Sequence, residues 1–489
     1  MFIGANMMRK SVLATVLAGV LPSLSATATE QPNVVIMMVD NLGFGELQSY
    51  GSTRGVATPN LDKLAEEGIR LTNFNVEPQC TPTRSAFMTG RRPLRTATTE
   101  VVWGMDYGMV NWEVTMANKL KEQGYNTAMY GKWHLGDTEG RTPLDQGFDD
   151  FFGVLNTSDE SLYSSQLHFE NEDGYVPKIQ DTVDGKTKDV MDFNLETRRT
   201  IDEQVTQRAI THISQQLEEG SPFFTFVSFT QPHLPTIPHP DFAGVTGKGD
   251  YADVLHEIDF RAGQIIDTID KADARKDTLI IFMSDNGPEW HYPHHGIAAP
   301  WRGNYFTALE GSIRVPFIAS MPGTVKEKNV SNEIVHVVDV MPSIGELVGY
   351  EMPSDRHIDG ISQWAHLKGD IEQSNRDGFY ISNGQIIQAY KWNDWKLHFY
   401  DQDIMPEAPV KRQIPAVYDL SSDPQEMYDM RADGVRIFPT VVKRNVAIQQ
   451  NLAASCDTIP FPAPMGYKPD CKGVDFTQYI PDGFRKAEK

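Results

Sequence analysis

The chain has 489 residues, 40% of them hydrophobic, which is enough for a large core and a second, smaller domain. Lys and Arg total 44 against 66 Asp and Glu, a formal charge of −22. Such a surface repels nucleic acid and anionic membranes, so neither is an expected partner; an anionic substrate must be drawn in by a local positive pocket or a metal.

In chain order, the first element is a secretory pattern over residues 1–28. Arg9-Lys10 is followed by an apolar stretch at 11–21, too short to span a bilayer, and by the small-residue site Ala26-Thr27-Ala28. A secreted or periplasmic protein is expected, with a retained anchor as the alternative. The run 33–39 (NVVIMMV) has the continuous apolarity of a buried parallel strand and ends in Asp40-Asn41-Leu42-Gly43. Residues 80–84 (CTPTR) open a helix that Thr89-Gly90 ends. Pro82 suits a first turn, and an anion held there meets the positive helix end beside Arg84. Taken alone, Cys80 is equally well a buried structural thiol.

Residues 125–130 lead into Gly131-Lys132-Trp133-His134, and 223–229 into Gln231-Pro232-His233. The run 278–284 (TLIIFMS) ends in Asp285-Asn286-Gly287, repeating the Asp-Asn turn of the first strand. Each tip alone is ordinary turn chemistry. Alternating strands and amphipathic helices predict a large, mostly parallel mixed sheet sandwiched by helices over 31–376. A smaller α+β subdomain is expected over 377–489, with strands at 378–382, 386–390 and 395–400 and a helix at 440–454. Cys456 and Cys471 close a short Pro-rich loop and are natural disulfide partners in an oxidising compartment, which leaves Cys80 odd.

Ligands of open α/β sheets bind beyond the carboxyl ends of the strands. On that rule Asp40, Asn41, Lys132, His134, His233, Asp285 and Asn286 converge on one cleft. The two Asp-Asn pairs offer four hard oxygen ligands, which suits Ca²⁺, or less well Mg²⁺, rather than zinc. Lys132 and Arg84 add donors for a tetrahedral oxyanion, and His134 and His233 are candidate proton carriers. The set reads as machinery for sulfate or phosphate chemistry beside a covalent nucleophile.

These residues resemble the formylglycine-dependent sulfatases of the alkaline-phosphatase superfamily. Cys80-x-Pro-x-Arg84 extended to Thr89-Gly90 looks like the first signature, and 124–134 like the second. Asp285-Asn286-Gly287, 310–316 (EGSIRVP), and Tyr418-Asp419-Leu420 with 423–426 continue the likeness. The resemblance implies that a maturation enzyme oxidises Cys80 to formylglycine, whose hydrated aldehyde attacks sulfur with help from Asp285. His134 then takes the proton of the second hydroxyl as sulfate leaves. Arg84 holds the aldehyde hydrate, Lys132 and His233 hold sulfate oxygens, and His233 donates to the leaving group. Asp40, Asn41, Asp285 and Asn286, with the modified Cys80, hold Ca²⁺.

Two departures carry chemistry. Asn41 stands where the family usually has a second Asp, removing one negative charge. Tyr305 stands where many members have a sulfate-contacting Lys, and a neutral phenol can donate a hydrogen bond but carries no positive charge. Arg302, His291, His294 or His295 could compensate, and Arg302 and Tyr305 are expected to bind substrate. Tyr107, Trp112, Trp290, Tyr292, Trp301, Tyr305 and Phe306 are candidates for the cleft rim, suited to an aryl or sugar ring. The expected activity is hydrolysis of an aryl or carbohydrate sulfate ester. The alternatives are a phosphonate monoester or phosphodiester hydrolase with the same nucleophile, and a catalytically silent binder of sulfated ligands.

Overall fold

The computed structural model describes Met1 and residues 31–103, 107–167, 169, 175–433, 436–464 and 466–474. The secretory pattern at 1–28 lies outside the described residues apart from Met1. Four strands carry the site: β1 (Asn33–Asp40), β2 (Asn126–Lys132), β3 (Phe223–Pro232) and β4 (Thr278–Ser284). They run parallel in the order β4-β1-β3-β2 at the centre of a ten-stranded sheet. Phe317–Ser320 pairs antiparallel beside β4, and the hairpin Lys178–Val183 and Lys186–Asp192 closes the other edge, so the sheet is mixed but mostly parallel at its core. This is the architecture that the strand pattern predicts.

The period of two in β1 explains the sandwich. Val34, Ile36 and Met38 face one side, where they join Phe87, Met116, Leu120 and Met341. Val35, Met37 and Val39 face the other, against Leu61, Ile201, Val205, Leu255 and Ile258. The first layer includes helix α1 (Cys80–Thr89); the second includes α2 (Leu195–Glu219) and α3 (Asp250–Lys271). Asn194 caps α2 by accepting from the N–H groups of Glu196 and Thr197 at 3.0 and 3.1 Å, and Gly220 ends it in the left-handed region. Among the described residues no helix is long and apolar enough to cross a membrane.

A four-stranded antiparallel meander follows: Gly378–Asn383, Ile386–Trp392, Trp395–Asp401 and Val410–Asp419. Its first three strands match the sequence reading to within two residues. The fourth is not predicted by the pattern, because its outer half is polar and exposed. Helix Phe438–Ala454 packs Val441 and Ile448 on Tyr380, Tyr390, Leu397 and Val417. Cys456 and Cys471 are bonded to each other. The meander is tied to the large sheet by Glu310, whose carboxylate meets Lys391 at 2.6 Å and Lys396 at 3.0 Å with all three groups buried. The two ammonium groups hold that carboxyl well below the ordinary range, against the cost of burial.

Candidate active site

Helix α1 begins at Cys80 and ends at Gly90, whose left-handed backbone donates its N–H to Ala86 O. All ten of its residues are buried, so Cys80 and Arg84, one turn apart, point into the protein rather than to solvent. Cys80 Sγ lies 3.6 Å from Asp40 Oδ1 and 3.5 Å from Asn41 Oδ1, at the carboxyl end of β1. Burial and the neighbouring Asp285 and Asp40 carboxylates push the thiol pKa up, so an unmodified Cys80 is a neutral, inert group.

Arg84 links three strand ends. Its Nε and Nη2 donate to Asp285 Oδ2 at 3.0 and 2.8 Å; its Nη1 donates to the Lys132 carbonyl at 2.7 Å and to Ser228 Oγ at 2.6 Å. Lys132 Nζ donates to both oxygens of Asp40, at 2.9 and 2.8 Å. Lys132 reaches that place because Gly131 lets β2 close on β3. Gly131 has φ 112°, and a Cβ there would sit 1.7 Å from Ser228 O.

His134 also sits in the left-handed region, at φ 61°. The Thr81 hydroxyl fixes its backbone by donating to His134 O at 2.8 Å, and accepts from Val102 N–H at 3.2 Å. His134 Nε2 lies 3.0 Å from Val102 O, so it carries the hydrogen, and Nδ1 keeps its lone pair. Among the described residues that Nδ1 has no partner, although it is buried. Burial, then the Lys132 and Arg84 cations, hold the ring far below the ordinary histidine range. A neutral imidazole with an unused lone pair just beyond the end of β2 is a candidate proton acceptor.

His233 follows β3. Its Nδ1 donates to Leu234 O at 2.8 Å and lies 3.2 Å from Glu289 Oε1. Burial and the Lys132 charge push it down to about 3. Arg198 of α2 holds this loop by donating to Thr230 O at 2.8 Å and to His233 O at 2.9 Å. Asp202 supports it from below, accepting from the N–H groups of Thr230 and Gln231.

The oxygen donors form a compact set. Asn41 N–H donates to Asp285 Oδ1 at 3.0 Å, and Asn286 Nδ2 donates to Asn41 Oδ1 at 2.5 Å. Asn286 Oδ1 is buried with no partner among the described residues, an acceptor with an unmet demand. Two carboxylates and two amides, one of them with an orphaned oxygen, in one buried cluster fit a hard divalent cation. Asp40, Cys80 and His233 also offer ligand atoms within 4.8 Å of one another. The oxygen set is the better match to a hard divalent cation, because it offers carboxylate and amide oxygens in place of sulfur and nitrogen. The charges agree: Arg84 and Lys132 cancel Asp40 and Asp285, so a divalent ion leaves the site positive enough to take an anion.

The structure therefore brings together Asp40, Asn41, Cys80, Arg84, Lys132, His134, His233, Asp285 and Asn286. It does not bring in Arg302, which corrects its expected place at the substrate. That guanidinium donates to the carbonyls of Gln425 and Glu426 at 2.9 Å each and to Asp403 at 3.2 Å, clamping the C-terminal region. Two aromatics expected at the rim are spent elsewhere: Trp112 lies under Arg356 and Trp301 under Arg314. Trp290 and Tyr292 are exposed.

Three contributors escape the sequence reading. Ser228 is a polar residue inside an apolar strand, and its hydroxyl bridges Arg84 and the Lys132 carbonyl. Ser158 donates to Asp40 Oδ2 at 3.0 Å from a 3₁₀ turn with no motif of its own. Glu289 accepts from Asn41 Nδ2 and, at 3.2 and 3.1 Å, from Leu234 N–H. Burial pushes its carboxyl up to about 8. Its nearness to Asp285-Asn286 is the only signal of it in the sequence.

A family model described as Sulfatase matches residues 32–350, and one described as N-sulphoglucosamine sulphohydrolase, C-terminal, matches 304–442. The chain is 29% identical over 470 residues to N-acetylgalactosamine-6-sulfatase of Rattus norvegicus, covering 88% of this chain and 87% of that protein. It is 30% identical over 444 residues to an arylsulfatase of Hemicentrotus pulcherrimus, covering 83% and 78% respectively. Its fold superimposes on the PsFucS1 sulfatase from Pseudoalteromonas sp. with a TM-score of 0.82 at 30% identity, over 88% of this chain and 92% of that one.

Proposed function

The chain belongs to the sulfatase family, and on that premise we propose that it hydrolyses an aryl or carbohydrate sulfate ester with a formylglycine at residue 80 and a bound calcium ion, after export from the cytoplasm. Sulfuric ester hydrolysis itself follows from the family and its relatives. The observation that carries the finer reading is the convergence on Cys80 of the Asp40, Asn41, Arg84, Lys132 and Asp285 side chains, all buried. Only an oxygen nucleophile at that position makes use of a hard-cation site, and the thiol is held protonated.

The formylglycine supplies a hydroxyl nucleophile, and the divalent ion supplies a Lewis acid that favours its ionised form and offsets sulfate charge. Asp40, Asn41, Asp285 and Asn286 would hold the ion. Arg84 fixes the Asp285 carboxylate through two hydrogen bonds and so sets the donor geometry around residue 80. Lys132 is pinned by Asp40 and presents its charge to the bound sulfate group without searching for a rotamer. His134 accepts a proton at Nδ1, its Nε2–H staying on Val102 O. His233 has its Nδ1–H tied to Leu234 O, which keeps the ring fixed against the ester.

The ester is a sulfated sugar or phenol. The exposed rings of Trp290 and Tyr292, beside the Asp285-Asn286 loop, suit stacking on such a group. Export is supported by the bonded Cys456–Cys471 pair, which belongs in an oxidising compartment. The test is sulfate release from 4-nitrophenyl sulfate and from sulfated monosaccharides by the mature protein and by Cys80→Ala. The reading requires release by the first and none by the second.

A further inference from the structure

The segment that ends at Phe306 threads between the two loops that carry the reacting groups. Tyr305 N–H donates to Pro288 O at 3.1 Å, three residues beyond Asp285. Phe306 N–H donates to Pro78 O at 2.8 Å, two residues before Cys80. Phe306 O accepts from Asn383 Nδ2 at 2.6 Å, and the Asn383 side chain in turn accepts from Gln79. Phe306 holds φ 64°, a left-handed conformation that a bulky aromatic residue adopts only under such constraint.

This tether fixes where the Tyr305 side chain goes. The ring is 6% exposed and meets Phe306 edge-on at 4.7 Å. Its hydroxyl lies 3.0 Å from His291 Nε2. Among the described residues the hydroxyl has no other hydrogen-bond partner. Burial, with Glu289, Cys80, Asp159 and Asp40 nearby, pushes the phenol pKa well above its ordinary value, so Tyr305 is a neutral O–H group that does not surrender its proton.

A phenol has one hydrogen and two lone pairs. If His291 Nε2–H donates to a lone pair, the Tyr305 hydrogen is left for a second acceptor. Cys80 and Tyr305 are both buried, His291 is half-buried, and Trp290 and Tyr292, which flank His291 in sequence, are exposed. With Tyr305 tethered to the loops that carry Cys80 and Asp285, the candidate acceptor for its hydrogen is an ester bound over residue 80. We propose that Tyr305 donates a hydrogen bond to the bridging oxygen of the ester, and that His291 is the positioning residue that turns the phenol toward it. As the nucleophilic oxygen at residue 80 bonds to sulfur, the S–O bond to the leaving group breaks and its electron pair goes to the bridging oxygen; the hydrogen stays on Tyr305 and stabilises the developing charge. The proposal rests on the sulfate-ester reading above.

The test uses the full mature chain and a series of aryl sulfates whose phenols range from acidic (4-nitrophenol) to weakly acidic (phenol, 4-methylphenol). A hydrogen bond to developing charge matters most where the leaving oxygen is poor. Tyr305→Phe is therefore expected to lower kcat/KM by roughly 10- to 100-fold on the weakly acidic leaving groups and by only about 3-fold or less on 4-nitrophenyl sulfate. His291→Ala follows the same trend, and His291→Gln, which keeps an N–H donor, recovers most of it. A merely structural role lowers every substrate equally, and that outcome, or no change across the series, overturns the proposal. His291 lies toward the surface, so the His291→Ala and His291→Gln pair decides the question if Tyr305→Phe does not fold. A wild-type chain carrying the aldehyde that cleaves none of these sulfates, nor any sulfated sugar, overturns the sulfatase reading itself.

Discussion

The ammonium of Lys132 sits between both oxygens of Asp40, at 2.9 and 2.8 Å, and neither side chain reaches solvent. Each charge is tolerated only because of the other. Lys132→Ala removes one and leaves Asp40 buried with only Arg84, at 3.8 Å, to balance it. We expect a loss of about 3–5 kcal/mol in stability together with loss of sulfate release, read by thermal unfolding and by turnover. Lys132→Arg does not restore activity, because the larger guanidinium does not fit a fully packed site.

Gly131 sets the geometry that Lys132 needs. Gly131→Ala puts a methyl group 1.7 Å from Ser228 O at φ 112°. The β2–β3 pairing has to open, so the variant is expected to lose more than about 3 kcal/mol or to fail to accumulate. Urea denaturation of purified protein measures it.

His134 is predicted to act through Nδ1. His134→Ala is expected to lower kcat by roughly 10²- to 10⁴-fold, the usual span for a positioned general base, and to cost about 1–3 kcal/mol in stability through the lost Val102 bond. Comparing turnover with thermal unfolding separates a chemical loss from a structural one.

The divalent site predicts a reversible dependence on metal. Chelation with EGTA lowers both sulfate release and melting temperature, and added Ca²⁺ restores both. Asn41→Asp brings a carboxylate against Glu289, where an amide hydrogen bond stood, and is expected to destabilise the fold. Glu289→Gln in the same chain relieves it, which a double-mutant cycle reads directly.

Much of the site is legible in the sequence because parallel strands place their polar ends on one edge. Two apolar runs that each end in Asp-Asn are enough, by that rule alone, to bring Asp40, Asn41, Asp285 and Asn286 together. Other residues leave no such trace. Ser158 comes from a 3₁₀ turn, and Ser228 looks like a flaw in an apolar strand until Arg84 is seen beside it. Arg302 departs from expectation for a different reason: proximity along the chain says where a backbone goes, not where a long side chain points. The Glu310 stretch serves as a family mark, yet its carboxylate anchors the C-terminal meander through Lys391 and Lys396.

Stability against acid has a defined sign. Burial holds His212 and His357 neutral, each pushed down to about 4 from an ordinary 6.5. Between those values the unfolded chain binds more protons than the folded one, so stability is full above pH 6.5 and falls as the pH drops toward 4. Each ring accounts for at most ~3 kcal/mol of that loss. Melting temperature measured from pH 7 to pH 4 should fall, and His212→Gln should flatten the slope.

That residue 80 works as an aldehyde-derived nucleophile can be tested most directly in batches that differ in maturation, with two quantities measured on each. One is the fraction of aldehyde in the peptide containing residue 80, by mass spectrometry; the other is the rate of sulfate release. The rate is expected to be proportional to aldehyde content and to pass through zero for the thiol form. Undiminished sulfate release from protein whose residue 80 is entirely cysteine would rule out an aldehyde-derived nucleophile.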